Sequence, residues 1–417
     1  MLTLNSRHRL DIRLGHFAYG LSACLWARDP ERLGAALAGT WSPGGQGIAC
    51  RSVRSGFHLF LEVLGLDAGD EVLVSAVTHP DMVRILEAHG LVAVPVDLDV
   101  ATLAPRVDVA ERLITPRTRA VLVAHLFGGR FDMAPMLALA QRHRLLVWED
   151  CAQAFTGPGD TGHPDADVSM YSFGSLKTGT ALGGALLKVR DRTILERMRA
   201  RQREWPVQER RAYAAGLLKF FVFSLVTRPA AYGLLARFHR WSGRDFDRLV
   251  NSSVRAFKPG KLLPQLEVRP SAPLLAMLAH RLDTFDGDRL RRRAEAGAWL
   301  TSNLPTGLQP VGTGMNAHTH WLFPVVAASP DELIAACRAA GFDAARGASS
   351  VAAIAAPAGR PEADPLVARR MMAGLVFLPA YPELPDGALE RLAAAAASVA
   401  RSDGEGARAK APTLRRA

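Results

Sequence analysis

Lysine is scarce in this chain. Of 51 basic residues only six are lysine, so arginine carries nearly all the positive charge. Cysteine is scarce as well. Cys24, Cys50, Cys151 and Cys337 are widely spaced, with no CxxC pair and no metal-ligand cluster. That excludes a disulfide framework and a metal site of the usual spacing, and reads as reduced, buried thiols of a cytoplasmic protein. No apolar run reaches the ~20 residues that span a bilayer, and the N-terminus lacks the apolar core of a signal peptide. Acidic residues fall short of basic ones, leaving a net charge of +11. The arginines are scattered through presumed helices rather than grouped with aromatics, which argues against nucleic acid as a partner. A field of that sign favours anionic small molecules such as phosphates and nucleotide diphosphates. The 417 residues, 49% hydrophobic and 22% charged, suit a globular protein of two domains.

Against this background Lys177 stands out. It follows an apolar run in the hydroxyl-rich stretch Tyr171-Ser172-Phe173-Gly174-Ser175-Leu176-Lys177-Thr178. Arginine keeps its proton and cannot readily add to a carbonyl, whereas a lysine can. Upstream, Arg144 to Asp150 reads as a buried parallel strand ending in two carboxylates, followed by Cys151-Ala152-Gln153-Ala154. Ligands of open α/β sheets sit beyond the carboxyl ends of the strands. Asp150 at one strand end and Lys177 just after another, Val168 to Phe173, would then face one crevice. An amine and an acid so placed suit pyridoxal 5'-phosphate, the lysine bonding the aldehyde and the aspartate keeping the pyridinium nitrogen protonated. A structural Asp–Lys ion pair is the alternative.

Regular alternation starts at Arg54. Gly56 to Leu66 has helical spacing, Glu71 to Ser75 is a strand, Pro80 to His89 a helix and Leu91 to Asp97 a strand. Arg119 to Leu126 is a strand, Asp132 to His143 a helix, and Ala185 to Val189 a further strand. Helices and apolar strands taking turns imply a mostly parallel sheet covered on both faces. Residues 1–45 form an N-terminal arm and 46–265 a large domain. From about 200 to 265 that domain carries an insertion rich in arginine and apolar residues. Its apolar stretch 214–238 is interrupted by Lys219 and closed at Arg228. It reads either as a helix buried on the protein or at a subunit contact, or as one lying in a membrane surface. Residues 266–400 give a long helix from Ala272 with an arginine patch at 289–293, then a smaller α+β domain. That domain has a strand at Trp321 to Val326 and helices at Asp331 to Ala340 and Ala388 to Val399. A basic, disordered tail occupies 401–417.

Several stretches in order resemble the DegT/StrS family of sugar aminotransferases. They are Gly69-Asp70-Glu71-Val72, Pro95 to Asp99, His125-Leu126-Phe127-Gly128, Glu149 to Gln153, Ser172-Phe173 with Lys177, and Leu378 to Pro382. The resemblance implies an α/β protein of pyridoxal-phosphate transferase fold type I, with a mostly parallel large domain and a smaller C-terminal α+β domain. It implies Lys177 as the residue bonded to the cofactor and the shuttle for the substrate proton. It sets Asp150 at the pyridinium nitrogen, Gln153 against the 3-oxygen and Ser172 on the phosphate. Ser55 and Gly56, opening a helix, complete the phosphate cup with backbone N–H groups and the helix dipole.

Four departures accompany the likeness, one of them Leu182 where the family often has a glutamate before Gly183-Gly184. Phe57 stands where the family has a threonine that contacts phosphate. His79 takes the slot of an aromatic stacked on the ring, where an ordinary turn histidine is the alternative. Glu267 falls near an asparagine that reaches the phosphate from a partner subunit. The implied reaction transfers an amino group, with glutamate as donor, to a keto-sugar on a nucleotide diphosphate, in a cytoplasmic homodimer. Arginines of the 191–293 region are candidates to clamp the diphosphate. A dehydratase or lyase of the same fold, or a non-catalytic scaffold that binds the cofactor or a membrane, remains open. Peripheral membrane contact through 214–238, with an acceptor handled at that surface, is a further expectation.

Overall fold

The structure, a computed structural model, describes residues 3–241 and 262–409. Part of the predicted insertion (242–261) and the end of the predicted tail (410–417) lie outside the described residues. Through the large domain the strands are β1 (Gly47–Cys50), β2 (Glu71–Ser75), β3 (Val77–Thr78), β4 (Val92–Val96), β5 (Thr118–Ala124), β6 (Gly129–Arg130), β7 (Leu146–Asp150), β8 (Val168–Ser172) and β9 (Ala185–Val189). The helices are α1 (Leu14–Trp26), α2 (Pro30–Trp41), α3 (Val53–Leu64), α4 (Pro80–Ala88), α5 (Val107–Leu113), α6 (Ala134–His143), α7 (Arg192–Glu204), α8 (Arg210–Val226) and α9 (Pro229–Trp241).

Seven strands form one sheet in the order β1-β9-β8-β7-β5-β2-β4. All run parallel except β9, which is antiparallel to both β1 and β8. Apolar side chains are buried on both faces, as a helix-covered parallel sheet requires. Trp148 on β7, for example, is fully buried between Phe57 and Phe60 of α3, each ring 5.6 Å away. Strand order reverses direction between β2 and β5, so the crevice beyond their carboxyl ends is where a ligand is expected.

The rest of the chain comprises α10 (Leu263–Leu266), α11 (Ala272–Asp283), α12 (Gly287–Asn303), β10 (Gln309–Pro310), β11 (Ala317–His318), β12 (Phe323–Val326), α13 (Pro330–Ala339), β13 (Ala352–Ala353), α14 (Leu366–Gly374), β14 (Leu375–Leu378) and α15 (Ala388–Ala409). Strands β10, β12 and β14 make the small-domain sheet. Its core joins Phe323, Val325 and Val376 to Leu333 and Leu392 of the covering helices. Two short pairings bring this domain onto the carboxyl edge of the large sheet: β11 with β6, and β13 with β3.

The N-terminal arm, whose structure the sequence left open, is two helices. Asp29 caps α2 by accepting from Arg32 N–H, with Pro30 in the first turn, and Asp29-Pro30 is an ordinary helix-start pair. Two expectations are corrected. The long helix from Ala272 is two, because Thr284 turns back on His280 O and Asp286 caps α12 at Arg289 N–H. The last helix runs to Ala409 rather than ending near 400, continuing from the alanine run at 393–397 in spite of Gly404 and Gly406.

Gly128 shows how tightly the domains meet. Its φ is +95°, and a Cβ there would lie 2.4 Å from Trp321 N and 2.7 Å from Thr319 Oγ1. Neighbouring Phe127 O and Gly128 O accept from Leu322 N–H and Thr319 N–H across the same seam. Backbone strain and overpacking then act together, so Gly128→Ala is expected to cost about 2–4 kcal/mol. Urea unfolding measures this, and a loss within about 0.5 kcal/mol of zero would contradict the contact.

Candidate active site

Strand β7 ends on two carboxylates with opposite surroundings. Glu149 is buried, and its Oε2 accepts from Ser169 Oγ–H (2.7 Å) and His163 N–H (2.8 Å) while Oε1 meets His125 Nε2 (3.0 Å). Burial alone would raise its pKa, but these partners hold it well below the usual carboxylate range. Asp150 is also buried but takes one backbone bond, from Ala152 N–H (2.9 Å). Burial raises its pKa, opposed by that bond and by the charges of Lys177 and His125.

Lys177 lies in the turn after β8. The loop around it is fixed by hydrogen bonds from Thr180 Oγ1–H to Gly174 O and from Lys177 N–H to Gly174 O. Two buried arginines hold its far side: Arg293 donates to Thr178 Oγ1 (3.0 Å) and Thr319 O, and Arg281 donates to Thr180 O (3.0 Å). The Lys177 amine has its pKa lowered to about 8, chiefly by burial, with Asp150 holding it up and Arg54 pressing it down. Buried Asp150 and half-buried Lys177 thus lie close enough for each to feel the other's charge. Lys177 Nζ also lies 4.1 Å from the ring centre of Trp321, whose Nε1–H is bonded to Leu176 O (2.7 Å).

The remaining predicted residues divide. Ser172 ends β8, two residues beyond the partner of Asp150 in the register, and accepts a long bond from Gly174 N–H (3.4 Å). Gln153 Oε1 accepts from Phe127 N–H (2.9 Å), which orients its amide. His79 follows β3 and feels both Arg54 and Lys177; burial and those cations lower its pKa to about 4. Its neutral Nδ1 accepts from Asp81 N–H (3.1 Å), so it also caps α4. Thr78 beside it has a buried hydroxyl with no hydrogen-bond partner.

Gly56 and Phe57 are corrected. The residue capping α3 is Ser52, whose Oγ accepts from Ser55 N–H (3.1 Å), so the helix starts a turn earlier than Ser55. Gly56 and Phe57 consequently face the sheet. A Cβ on Gly56 would lie 2.6 Å from Leu187, and Phe57 packs on Trp148. Ser55 is fully buried with its hydroxyl 3.0 Å from that of Ser52. Glu267 lies 3.4 Å from His58 Nε2 on the other flank of α3.

Arg54 and Trp321 were missed as site residues by the sequence, and Arg293 was read only as one arginine of the 289–293 patch and of the diphosphate-clamp candidates. Arg54, in the first turn of α3, pairs with Asp81 (2.5 Å) and acts on Lys177. Its signal was Ser52, a serine placed to cap the helix. Trp321 and Arg293 arrive from the small-domain side and carry no local signature.

This arrangement fits pyridoxal 5'-phosphate on its own chemistry. It offers an amine poised near neutrality, a buried carboxylate, an unpartnered hydroxyl at Thr78 and a cationic helix N-terminus. Comparison with known proteins agrees. Residues 36–214 match the DegT/DnrJ/EryC1/StrS aminotransferase family. Over that stretch, somewhat under half of its length, the chain is similar to this family. GDP-perosamine synthase of Caulobacter vibrioides is 36% identical over 154 residues, which are 36% of this chain and 42% of that protein. The UDP-4-amino-4-deoxy-L-arabinose–oxoglutarate aminotransferase of Shewanella sediminis is 31% identical over 154 residues, 36% of this chain and 39% of that protein. The matched sequence therefore spans less than half the length of these relatives. Among solved structures, Helicobacter pylori PseC superposes with a TM-score of 0.69 at 12% identity, covering 96% of this chain and 100% of its own. The aminotransferase TlmJ from Streptoalloteichus hindustanus gives 0.67 at 19%, covering 95% and 100%. These show the fold: pyridoxal-phosphate transferase type I, as the sequence implied.

The electrostatics make a signed prediction. Reductive methylation, read at Lys177 by peptide mass spectrometry, should show a titration midpoint near pH 8. Asp150→Asn removes a charge that holds the pKa up and should move the midpoint down. Arg54→Gln should move it up. A midpoint at the ordinary lysine value of 10.5 would contradict the buried geometry.

Proposed function

We propose that this protein is a pyridoxal 5'-phosphate-dependent aminotransferase that moves an amino group, with glutamate as donor, to a keto-sugar carried on a nucleotide diphosphate. The observation that carries the reading is the amine of Lys177, lowered to about 8 and facing the buried carboxylate of Asp150. The family and the nucleotide-sugar names of its relatives support the substrate class.

Lys177 would hold the aldehyde and Asp150 the ring nitrogen. Ser172 and the N-terminus of α3, with the Arg54 guanidinium beside it, would hold the phosphate. With Gln153 Oε1 committed to Phe127 N–H, its NH2 end is what it offers the 3-oxygen. His79, kept neutral, offers a flat face to the ring. Bound there, the cofactor supplies the sink for the electron pair left when a substrate C–H bond breaks. The protein's own part is proton movement. Lys177 Nζ, about half unprotonated near pH 8, takes the proton from the amine-bearing carbon and returns it at the end of the transfer. Trp321, from the small-domain side, lies over the Lys177 amine, its ring centre 4.1 Å away.

Purified protein mixed with the cofactor should turn yellow, and borohydride should fix the label on Lys177. Glutamate should convert the spectrum to the amine form, and a nucleotide keto-sugar should reverse it. Lys177→Ala should lower amino transfer by about 10²–10⁴-fold or more. A spectrum unmoved by any amino donor would instead favour a lyase or a scaffold, and Lys177→Ala protein still covalently labelled would overturn the assignment.

A further inference from the structure

Among the described residues, eleven large apolar side chains are exposed, and nine of them lie on α1, α8 and α9. These three helices pack in succession. Helix α1 lies antiparallel to α8, with Phe17 edge-on to Phe221 (5.6 Å) and Arg210 at the start of α8 capping the carbonyls of Cys24 and Ala27. Gly20 permits the approach, since a Cβ there would lie 2.9 Å from Leu217. Helix α9 leaves α8 at a bend of 90°.

Each helix has a committed face and a bare one. Helix α8 buries Tyr213, Leu217 and Phe220 and exposes Leu218, Val222 and Leu225, a separate stripe at helical spacing. Helix α9 buries Tyr232, which donates to the buried Asp343 (2.5 Å), and exposes Leu234 (69%), Phe238 (51%) and Trp241 (85%). Leu25 (74%) and Trp26 (51%) extend the surface from α1. An apolar surface of this breadth on three adjoining helices marks an interaction site.

Charge selects the occupant. From Arg210 to Trp241 the sequence has no aspartate or glutamate, and it carries Arg210, Arg211 (paired with the preceding Glu209), Lys219, Arg228, Arg237 and Arg240. Helix α1 has no acid either. Apolar stripes rimmed by cations, with aromatic side chains at the rim, are what an interfacial helix presents to anionic lipid. A two-fold contact with a second copy would set these cations against the same cation-bearing surface.

We propose that the face formed by α1, α8 and α9 seats the protein on the surface of an anionic lipid bilayer, with α8 and α9 lying in the interface. Binding there needs nothing of the chemistry at Lys177, although Tyr213 Oη–H, bonded to Ala181 O (2.8 Å), ties α8 to the loop that follows it.

The test floats the full chain on vesicles of phosphatidylcholine alone or mixed with equal phosphatidylglycerol. The wild type should float with the anionic vesicles and stay behind with the neutral ones. Brominated acyl chains should quench its tryptophan fluorescence, and Trp241→Phe should reduce that quenching. Val222→Glu with Phe238→Glu, both at exposed positions, should lower the bound fraction about tenfold or more with thermal melting unchanged. If that double variant does not fold, Leu234→Ser alone should show a smaller loss in the same direction. Failure to float on anionic vesicles, flotation with no quenching at Trp241 (attachment by the basic C-terminal residues alone), or full binding by the folded variants would overturn the proposal. So would a wild-type dimer that ignores lipid and becomes monomeric in the double variant.

Discussion

The structure turns on two opposite charges taken out of water into one crevice. Burial pushes Asp150 toward its protonated form and Lys177 toward its neutral one; each is drawn back toward its charged form by the other. Neither effect wins outright, and the amine therefore sits within reach of neutrality without losing its partner. Strand geometry makes this possible. Glu149 and Asp150 are adjacent on β7, so they point to opposite faces of the sheet. Glu149 goes to the side where Ser169, His163 and His125 meet it and becomes a fixed anion. Asp150 goes to the side where one hydrogen bond, from Ala152 N–H, and the charges of Lys177 and His125 oppose its burial. One step along the chain separates a structural carboxylate from a chemical one.

That step was legible in the sequence because a buried strand is an uninterrupted apolar run, and the acids of Leu146–Asp150 mark its end. The same logic found Lys177 just beyond β8. Helix starts were read less well. Ser55-Gly56 was read as the opening of the helix, but Ser52 has the capping chemistry three residues earlier, and only the fold decides between them. The cost of the misreading was Arg54, hidden inside what looked like the approach to the helix. Asp29-Pro30 was a clear signal for α2 and passed unread amid the surrounding arginines. Trp321 had no signal at all: its place over Lys177 depends on the small domain docking through Gly128 and Thr319, a contact made by residues far apart in sequence.

The scarcity of lysine has a structural counterpart. Arginine works throughout as a cross-link that engages several acceptors at once. Arg281 bonds Thr180 O and Asp11 O, Arg293 bonds Thr178 Oγ1 and Thr319 O, and Arg289 grips Glu383 through two nitrogens. A planar guanidinium makes such multiple contacts and keeps its proton even when buried; an ammonium does neither as well. Two of these clamps, on α11 and α12, hold the loop immediately after Lys177. Much of the positive charge is thus consumed inside the protein, and the net charge overstates what is offered to an anionic substrate.

The cations of α8 and α9 are of another kind, because, Arg211 with its partner Glu209 apart, they stand in helices that contain no acid. Length and orientation then constrain how such helices can meet lipid. Helix α8 has 17 residues, and no single described helix is long and apolar enough to cross a bilayer. A bent pair could cross only by giving up the contacts of Tyr213, Leu217, Phe220 and Tyr232 with the body of the protein, since a spanning segment faces lipid on most sides. Lying flat requires none of that. The buried stripe keeps its packing on α1 and the small domain, the opposite stripe enters the interface, and the 90° bend at Thr227 spreads the contact over two directions instead of one. A helix pair half committed to protein and half bare has one arrangement in which both halves are satisfied, and that arrangement lies in the plane of a membrane.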